Sequence, residues 1–263
     1  METISSTNNP KIKNIVKLQK SSERKAQNLI IIEGLRELKH ALEANFEIIQ
    51  VYYCPSVAKH EVLEEISKLT TIQVYELSPD VFEKISYREN FDGIVSIAIP
   101  KYKSFNDIKI NSTALFIVLE SVEKPGNLGA ILRTAEAANV DALLLCDQQT
   151  DLFNPNVIRS SVGCVFKVPT IICTKNEAIE FARANNIKTF AAALSANKFY
   201  HEMNYQQPSA IVLGSEAYGL TDEMLSLCDE QIKIPMLGEH DSLNVSVSAA
   251  ILTFEAKRQQ GFK

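Results

Sequence analysis

Arg133 has the sequence surroundings of an anion-binding side chain. It lies in the segment 119–139, where a Pro-Gly turn follows an apolar run and Asn127 is predicted to open a helix. A guanidinium there could hold a phosphate or a carboxylate, because free helix N–H groups lie one or two turns away. An equally open alternative is an exposed arginine paired with Glu136. The helix face that carries Arg133 otherwise holds only small residues, namely Gly126, Ala130 and Ala137.

A second segment, 210–224, places a carboxylate in a tight loop. An apolar run stops at Gly214, and Ser215, Glu216 and Gly219 form the predicted turn. In open α/β sheets, ligands bind at the carboxyl ends of strands, where glycine lets the backbone approach them closely. Glu216 could therefore contact a ligand or hydrogen-bond a partner residue. A carboxylate at a helix N-terminus is an equally good interpretation.

A third segment, 232–259, ends in a long predicted helix that begins with unusual residues. The run Ser242–Ser248 is rich in serine, asparagine and valine, which are poor helix formers. Small polar residues at that place indicate close backbone approach or a ligand. Ordinary N-capping by Asp241 or Ser242 would explain one residue of the run and not the rest.

The remaining reactive side chains form no known constellation. The four histidines are scattered and the five cysteines include no C-x-x-C pair, so neither a metal site nor a disulfide framework is predicted. The loop GSEAYG does not match the G-x-S-x-G elbow of serine hydrolases. Gly126 and Gly129 do not complete a G-x-G-x-x-G fingerprint, which argues against a dinucleotide-dependent oxidoreductase.

Together, the three segments resemble the signature motifs of the SpoU (TrmH-type) branch of the SPOUT methyltransferases. PGNLGAILRTA, which contains Asn127 and Arg133, is similar to motif 1. LGSEAYGL, which contains Glu216, is similar to motif 2, and IPM followed by SLNVSV is similar to motif 3. Some positions depart from the family pattern: Glu120 and Lys124 stand where Asp is frequent, and Ala217 stands where Gly is usual.

The resemblance extends to the first part of the chain. ISSTNNPKIKNIVKL, Arg24 and IIIEGLRELKHAL are similar to the ribosomal-protein-like substrate-binding domain that precedes many of these catalytic domains. The resemblance therefore covers nearly the whole sequence, with the less specific motifs at the N-terminal end.

The resemblance implies an activity and a set of site residues. The family transfers a methyl group from S-adenosylmethionine to a ribose 2′-hydroxyl of RNA, as a homodimer whose site is completed across the interface. By position, Arg133 would activate the hydroxyl together with an RNA phosphate. The groups that would orient the hydroxyl, the arginine and the cofactor are Asn127, Glu216, Ser242 and Asn244. The backbone that would hold the cofactor lies near Leu194, Gly214, Ile234, Met236 and Leu243.

Alternating strands and helices must position these segments. Up to residue 99 the pattern is typical of a small α/β domain, and the polar stretch 100–112 is typical of a linker. A second alternation follows, with a strand at Val165–Val168 among others and a last helix over 243–259. The prediction is an α/β protein with an RNA substrate-binding domain at 1–99 and a SPOUT methyltransferase domain at 113–263. Periodicity alone predicts an ordinary open sheet for the second domain, and the trefoil knot follows only from the resemblance.

The charge distribution suggests where RNA would bind. The net charge is −5, yet residues 1–25 carry a net +4, and a basic stretch on an acidic protein can bind phosphates. On charge alone, a solvated helix face is the more frequent explanation. The side chains predicted to contact RNA are Lys11, Lys13, Lys17, Lys20 and Arg24.

The sequence as a whole predicts a methyltransferase that acts on ribosomal RNA, with S-adenosylmethionine as cofactor and no metal. The same chemistry on transfer RNA is one alternative. A non-catalytic RNA-binding protein is another, which would explain the first domain but not motifs 2 and 3. The sequence begins without a secretory signal and contains no apolar run long enough to cross a membrane, so a cytoplasmic protein is expected.

Overall fold

The computed structural model describes residues 2–87 and 92–262, which fall into two units. The first unit comprises Met1–Lys101 and Leu152–Lys167, and the second comprises Tyr102–Asp151 and Val168–Lys263. The chain therefore leaves the first unit inside the stretch predicted as a linker. It returns to the first unit with residues 152–167, which the sequence pattern groups with the second domain.

A five-stranded mixed sheet forms the centre of the first unit. The strand order is β1-β4-β3-β5-β2, and β5 runs antiparallel to both of its neighbours. Its elements within the first 101 residues are β1 (Glu2–Ile4), α1 (Pro10–Leu18), α2 (Ser21–Gln27), β2 (Ile30–Glu33), α3 (Leu35–Glu43), β3 (Ile48–Tyr53), α4 (His60–Lys68), β4 (Gln73–Leu77), α5 (Pro79–Ile85) and β5 (Ile94–Ala98).

Helix α1 carries the predicted lysine face. Asn9 caps the helix by accepting a hydrogen bond from the Lys11 backbone N–H at 2.9 Å, and Pro10 occupies the first helical position. The buried side of the helix, made of Ile12, Ile15 and Leu18, packs into the core of the unit. This alternation leaves Lys13 and Lys17 exposed on the outer side of α1.

A seven-stranded sheet forms the centre of the second unit. All of its strand pairs are parallel, in the order β10-β12-β9-β11-β6-β7-β8. The elements that follow β5 are β6 (Leu115–Glu120), α6 (Pro125–Ala137), β7 (Ala142–Cys146), α7 (Pro155–Ser160, in the first unit), β8 (Thr170–Cys173), α8 (Lys175–Ala184), β9 (Lys188–Ala192), β10 (Lys198–Phe199), β11 (Ser209–Leu213), α9 (Asp222–Leu227), β12 (Glu230–Lys233) and α10 (Val245–Gln259).

The two central strands explain why the sequence contains continuous apolar runs there. Every residue of β6 and of β11 is buried, because both strands have parallel neighbours on each side and helices over both faces. The carboxyl ends of β9, β11 and β12 therefore open onto the loops that contain the second and third segments.

The strand predicted at Val165–Val168 is wrong. These residues include a 3₁₀ turn at Cys164–Phe166, and the strand, β8, begins later at Thr170. Val165 and Phe166 are nevertheless buried, and the Phe166 ring lies 5.0 Å from the ring of Phe46 in the first unit. Tertiary packing of these apolar side chains overrides their strand propensity.

Two helix starts also differ from the predictions. Helix α6 begins at Pro125 rather than Asn127, so Asn127 lies in its first turn. Helix α10 begins at Val245, and neither Asp241 nor Ser242 caps it. The sequence pattern did not predict four short elements, which are β1, α2, β10 and α9.

Two negative findings apply to the described part of the chain. In residues 2–87 and 92–262, no helix is both long and apolar enough to span a bilayer. The same residues bring together no group of three or more histidine, cysteine, aspartate or glutamate side chains that could hold a metal ion.

Candidate active site

A cavity of about 700 Å³ opens at the carboxyl ends of β9, β11 and β12. Its size is typical of small-molecule and cofactor sites. Its lining is formed by the ends of these strands, the loop after β11, the stretch after β12 and the first turn of α10. This is the position at which open α/β sheets bind their ligands.

The loop of residues 214–220, which we call the cofactor loop, forms one wall of this cavity. Ser215 and Gly219 exchange two backbone hydrogen bonds of 3.0 Å each, which closes the loop into a tight turn. A Cβ atom at position 214 would overlap the Gly219 carbonyl group, and Gly219 itself has a φ of 70°. Gly214 is therefore required by the close approach of the two sides of the loop, and Gly219 by its left-handed backbone conformation.

The Glu216 carboxylate connects the cofactor loop to α6. It accepts a hydrogen bond from the Asn127 side-chain amide at 2.5 Å and from the Glu123 backbone N–H at 3.3 Å. Burial raises the pKa of Glu216, but these hydrogen bonds and those from the backbone of Glu216 and Lys124 outweigh it, so the pKa lies below the ordinary value. The charged form of Glu216 is the form that the site holds.

Asn244 connects α10 to the same network. Its side-chain amide donates to the Asn127 side-chain oxygen at 3.2 Å, while its own oxygen accepts from the Ser246 backbone N–H at 2.9 Å and the Ser246 hydroxyl at 2.6 Å. Asn244 is thus the N-cap of α10, in place of Asp241 or Ser242. The cofactor loop, α6 and α10 meet at the amide of Asn127.

Arg133 lies six residues further along α6 and is not among the residues that line the cavity. Its side chain is exposed, and within the described residues it makes no hydrogen bond or ion pair, including none with Glu136. The neighbouring positions on its face are the small residues expected from the sequence. The guanidinium is therefore free to bind an anion that comes from outside this chain.

The structure brings most of the predicted site residues together. Eight of them line the cavity, namely Leu194, Gly214, Glu216, Ile234, Met236, Ser242, Leu243 and Asn244. Asn127 does not line the cavity, but it is hydrogen-bonded to two residues that do, Glu216 and Asn244. Arg133 neither lines the cavity nor forms a hydrogen bond with a described residue that lines it. Sequence reasoning missed Lys124 and Tyr218, which also line the cavity; both stand inside the motif segments, so their position in the motifs was the available signal.

The predicted RNA-contacting side chains divide into two groups. Lys13, Lys17 and Lys20 are exposed on α1 or directly after it, and Lys11 is half-buried, 3.5 Å from the Glu2 carboxylate and 4.9 Å from the Tyr75 ring centre. Arg24 is only 3% exposed.

The burial of Arg24 has a structural cause. Its Nη1 donates to the backbone carbonyls of Leu18 at 2.9 Å and Gln19 at 2.8 Å, where α1 ends. This arginine therefore satisfies carbonyl groups at the end of a helix and is not available to an RNA phosphate. The prediction that Arg24 contacts RNA is not supported by this geometry.

The fold and the cavity define an α/β protein with a site of cofactor size at the carboxyl ends of parallel strands. Family models refine this class: the SpoU rRNA Methylase family matches residues 114–254, and the MRM3-like substrate binding domain matches residues 9–96. The chain belongs to the SpoU rRNA methylase family. The family membership and the α/β fold predicted from the motifs are confirmed, and the trefoil knot stays a prediction.

Individual relatives resemble this chain over nearly its whole length. It is 29% identical to the 23S rRNA (guanosine(2553)-2′-O)-methyltransferase RlmP of Bacillus subtilis, over 98% of this chain and 100% of that protein. It shares 37% sequence identity with the protein in a crystal structure of an RNA 2′-O ribose methyltransferase. The two structures superpose with a TM-score of 0.87 over 98% of this chain and 99% of the other. The AdoMet-bound rRNA methyltransferase of Sinorhizobium meliloti is 29% identical, with a TM-score of 0.89 over 98% and 97%.

Proposed function

We propose that this protein methylates a ribose 2′-hydroxyl of ribosomal RNA with S-adenosylmethionine as the methyl donor. The observation that carries the proposal is the cavity at the strand ends, which all five predicted cofactor residues line. The relatives, which act on ribosomal RNA or hold this cofactor, support the same conclusion. A cytoplasmic location is part of the proposal, since the substrate is an RNA of the ribosome.

The cavity fits a nucleoside cofactor in size and in chemistry. Leu194, Ile234 and Leu243 provide apolar groups for an adenine ring, and the backbone of the cofactor loop lies against the cavity because Gly214 has no side chain. Apolar walls with a few converging polar groups are typical of such sites. When bound there, S-adenosylmethionine supplies an activated methyl group on a sulfonium.

The chain's own residues would orient the RNA hydroxyl, whose proton would leave to solvent water. Among the residues that the structure describes, no histidine lines the cavity, and the Glu216 carboxylate already accepts from Asn127 and Glu123. Glu216 would therefore orient Asn127, and Ser242 and Asn244, which line the cavity, would help to orient the hydroxyl. The Arg133 guanidinium would bind an RNA phosphate and the hydroxyl oxygen together and so stabilise the negative charge that develops on that oxygen as its proton leaves.

The lysine face, defined as Lys13 and Lys17 of α1 together with Lys20 directly after the helix, would bind the RNA backbone. These side chains are exposed, and in the part of the chain that the structure describes they have no carboxylate partner. Lysines that neutralise phosphates contribute affinity without sequence preference. The first unit would therefore hold the RNA while the second carries out the reaction.

A homodimer belongs to the proposal because one chain leaves the site incomplete. Arg133 does not line the cavity of its own chain, and α10, which packs on α6, leaves Val247 and Phe254 exposed at 46% and 41%. The two residues are seven positions apart and so share one helix face. A second copy of the chain would cover this apolar face and supply the missing arginine. Sedimentation of the Phe254→Glu variant tests this proposal, and we expect monomers. A dimer as stable as that of the wild type would mean that this helix face is not the dimer interface.

The test of the function is the methylation itself. Mapping of 2′-O-methyl groups in RNA from cells that lack the gene should show one ribosomal position without its methyl group. The purified protein should restore that methyl group with S-adenosylmethionine. Loss of a methyl group from transfer RNA instead would assign the other substrate, and RNA binding without any methyl transfer would reduce the protein to a binding module.

A further inference from the structure

Glu120 is a buried carboxylate at the end of β6 with one dominant partner, Thr221. It is 2% exposed, and it accepts hydrogen bonds from the Thr221 backbone N–H at 2.8 Å and from the Thr221 hydroxyl at 2.7 Å. The Lys175 ammonium lies 3.9 Å from the same carboxylate and is itself paired with Glu223 at 2.5 Å. An unpaired buried charge is costly, so the Glu120 carboxylate has to keep the two Thr221 donors. This requirement fixes the position of Thr221 relative to β6.

Thr221 is the residue at which the cofactor loop ends and α9 begins. Its hydroxyl oxygen also accepts from the Met224 backbone N–H at 3.1 Å, so Thr221 is the N-cap of α9. The cofactor loop therefore runs between two fixed points, the end of β11 at Gly214 and the Glu120–Thr221 bond.

Two carboxylates join the cofactor loop to the segment from β6 to α6, and each of the two segments contributes one of them. Glu120, from β6, accepts from Thr221 after the loop, whereas Glu216, from the loop, accepts from Glu123 and Asn127 before and within α6. Neither Glu120 nor Thr221 lines the cavity. Each segment thus holds the other in place, although Glu120 and Thr221 themselves do not reach the cavity.

We propose that Glu120 and Thr221 are positioning residues that set the cofactor loop in register with Asn127. The inference rests on the proposed function, since it assumes that the loop binds S-adenosylmethionine. If the Thr221 hydroxyl is removed, the end of the loop is free to shift relative to α6. Cofactor affinity and the rate of methyl transfer should then fall together, although neither residue touches a reactant.

The competing explanation is that Thr221 only caps α9. The chain offers a matched control for this, because Thr174 caps α8 with the same chemistry. The Glu177 carboxylate accepts from the Thr174 backbone N–H at 2.7 Å and from its hydroxyl at 2.9 Å, and neither residue lines the cavity. Thr174→Val therefore removes the same kind of cap and the same kind of carboxylate bond without touching the cofactor loop.

The experiment compares Thr221→Val, Thr221→Ser and Thr174→Val in the full-length chain. Calorimetric titration with S-adenosylmethionine, single-turnover methylation and thermal unfolding are measured for each variant. Thr221→Val should bind the cofactor about tenfold more weakly, because the end of the loop that lines the cavity is no longer fixed, and should transfer methyl more slowly. Thr221→Ser should restore both, and Thr174→Val should lower the unfolding temperature alone.

The outcomes separate the two proposals. Unchanged cofactor affinity in Thr221→Val, or equal losses in Thr221→Val and Thr174→Val, would overturn the positioning role and leave the proposed function standing. A wild-type chain that binds no S-adenosylmethionine would instead overturn the proposed function. If Thr221→Val does not fold, Glu120→Gln provides the second variant, because it keeps one acceptor oxygen and the side-chain volume.

Discussion

Asn244 donates a hydrogen bond to Asn127 across 117 positions of sequence, and Asn127 in turn donates to Glu216. The amide of Asn127 therefore acts as an acceptor on one side and as a donor on the other. Only an amide in this orientation satisfies both neighbours, because a carboxylate could not donate to Glu216. The meeting point of the cofactor loop, α6 and α10 thus depends on the chemical type of one side chain.

Asn127→Asp should lower methyl transfer by about a hundredfold or more, because a misplaced site loses rate steeply. The change places a second carboxylate beside Glu216, which raises the pKa of the pair by repulsion. Activity of this variant should partly recover as the pH is lowered, since one of the two groups then takes up a proton. The control is Asn185→Asp after α8, where the amide donates to the Phe181 carbonyl at 2.8 Å and the substitution makes the same charge change. Equal rates of methyl transfer for both variants would mean that the hydrogen bonds of Asn127 do not contribute to the reaction.

The lowered pKa of Glu216 predicts how the stability of the site depends on pH. In the folded protein the net effect of the hydrogen bonds is a pKa below the ordinary value, about 4.3 for glutamate, so the stabilisation is full above that pH. It is lost as the pH falls through the folded pKa. The difference in unfolding temperature between wild type and Glu216→Gln should stay constant from pH 7 to about 4.3 and shrink below it. A difference that disappears already above about pH 5 would mean a raised pKa.

Arg133→Ala should abolish methyl transfer and leave cofactor affinity nearly unchanged, because the guanidinium lies outside the cavity lining. A loss of about a thousandfold corresponds to roughly 4 kcal/mol of transition-state stabilisation. Arg133→Lys should rescue poorly, since an ammonium keeps the charge but loses the planar fork. Unfolding temperature and dimer state are measured beside the single-turnover rate. Full activity in Arg133→Ala would overturn the assignment.

Neutralising Lys13, Lys17 and Lys20 should weaken RNA binding and flatten its dependence on salt. The slope of log affinity against log salt should fall by about 0.7–0.9 for each RNA phosphate that the protein no longer neutralises. The matched control removes Lys39, Lys59 and Lys68, three lysines of the same unit that are already paired with carboxylates. If both triple variants change the slope equally, the lysine face has no special role.

Phe153→Ala should destabilise the first unit by about 3–5 kcal/mol while cofactor affinity stays unchanged. The Phe153 ring is 2% exposed and lies 5.8 Å from the ring of Phe46, although Phe153 follows Phe46 by about a hundred positions. Hydrogen exchange of the amides in β3 and α3 measures the effect. Phe262→Ala, at a ring that is 66% exposed, is the control. Unaltered exchange in Phe153→Ala would mean that residues 152–167 add nothing to this core.

The sequence predicted those parts of the molecule that local patterns determine. The apolar runs before the Pro-Gly turn and before Gly214 located β6 and β11, because burial and strand propensity act over a few neighbouring residues. The motif segments also indicated which residues would share a cavity. These successes depend on residues whose role is visible within a short stretch of neighbouring positions.

The failures concern residues whose role is decided by other parts of the fold. Arg24 looks like another cation of the basic stretch until the carbonyls of Leu18 and Gln19 are seen to enclose it. Val165 and Phe166 are predicted as a strand because nothing nearby in the sequence reveals that Phe46 will pack against Phe166. Thr221 gives no sign of its bond to Glu120, which lies 101 positions earlier.

The return of residues 152–167 to the first unit also sets an order of events during protein synthesis. A ribosome delivers the chain from its N-terminus, and domains generally fold as they emerge. The core around Phe46 is complete only when Phe153 and Phe166 have been synthesised. Because β6, α6 and β7 precede these residues in the chain, they are synthesised before the core of the first unit can close. At about 5–20 residues per second the wait after Lys101 lasts several seconds. We expect the first unit to complete its core only after β6, α6 and β7 of the second unit have been synthesised, while Val168–Lys263 are still to follow.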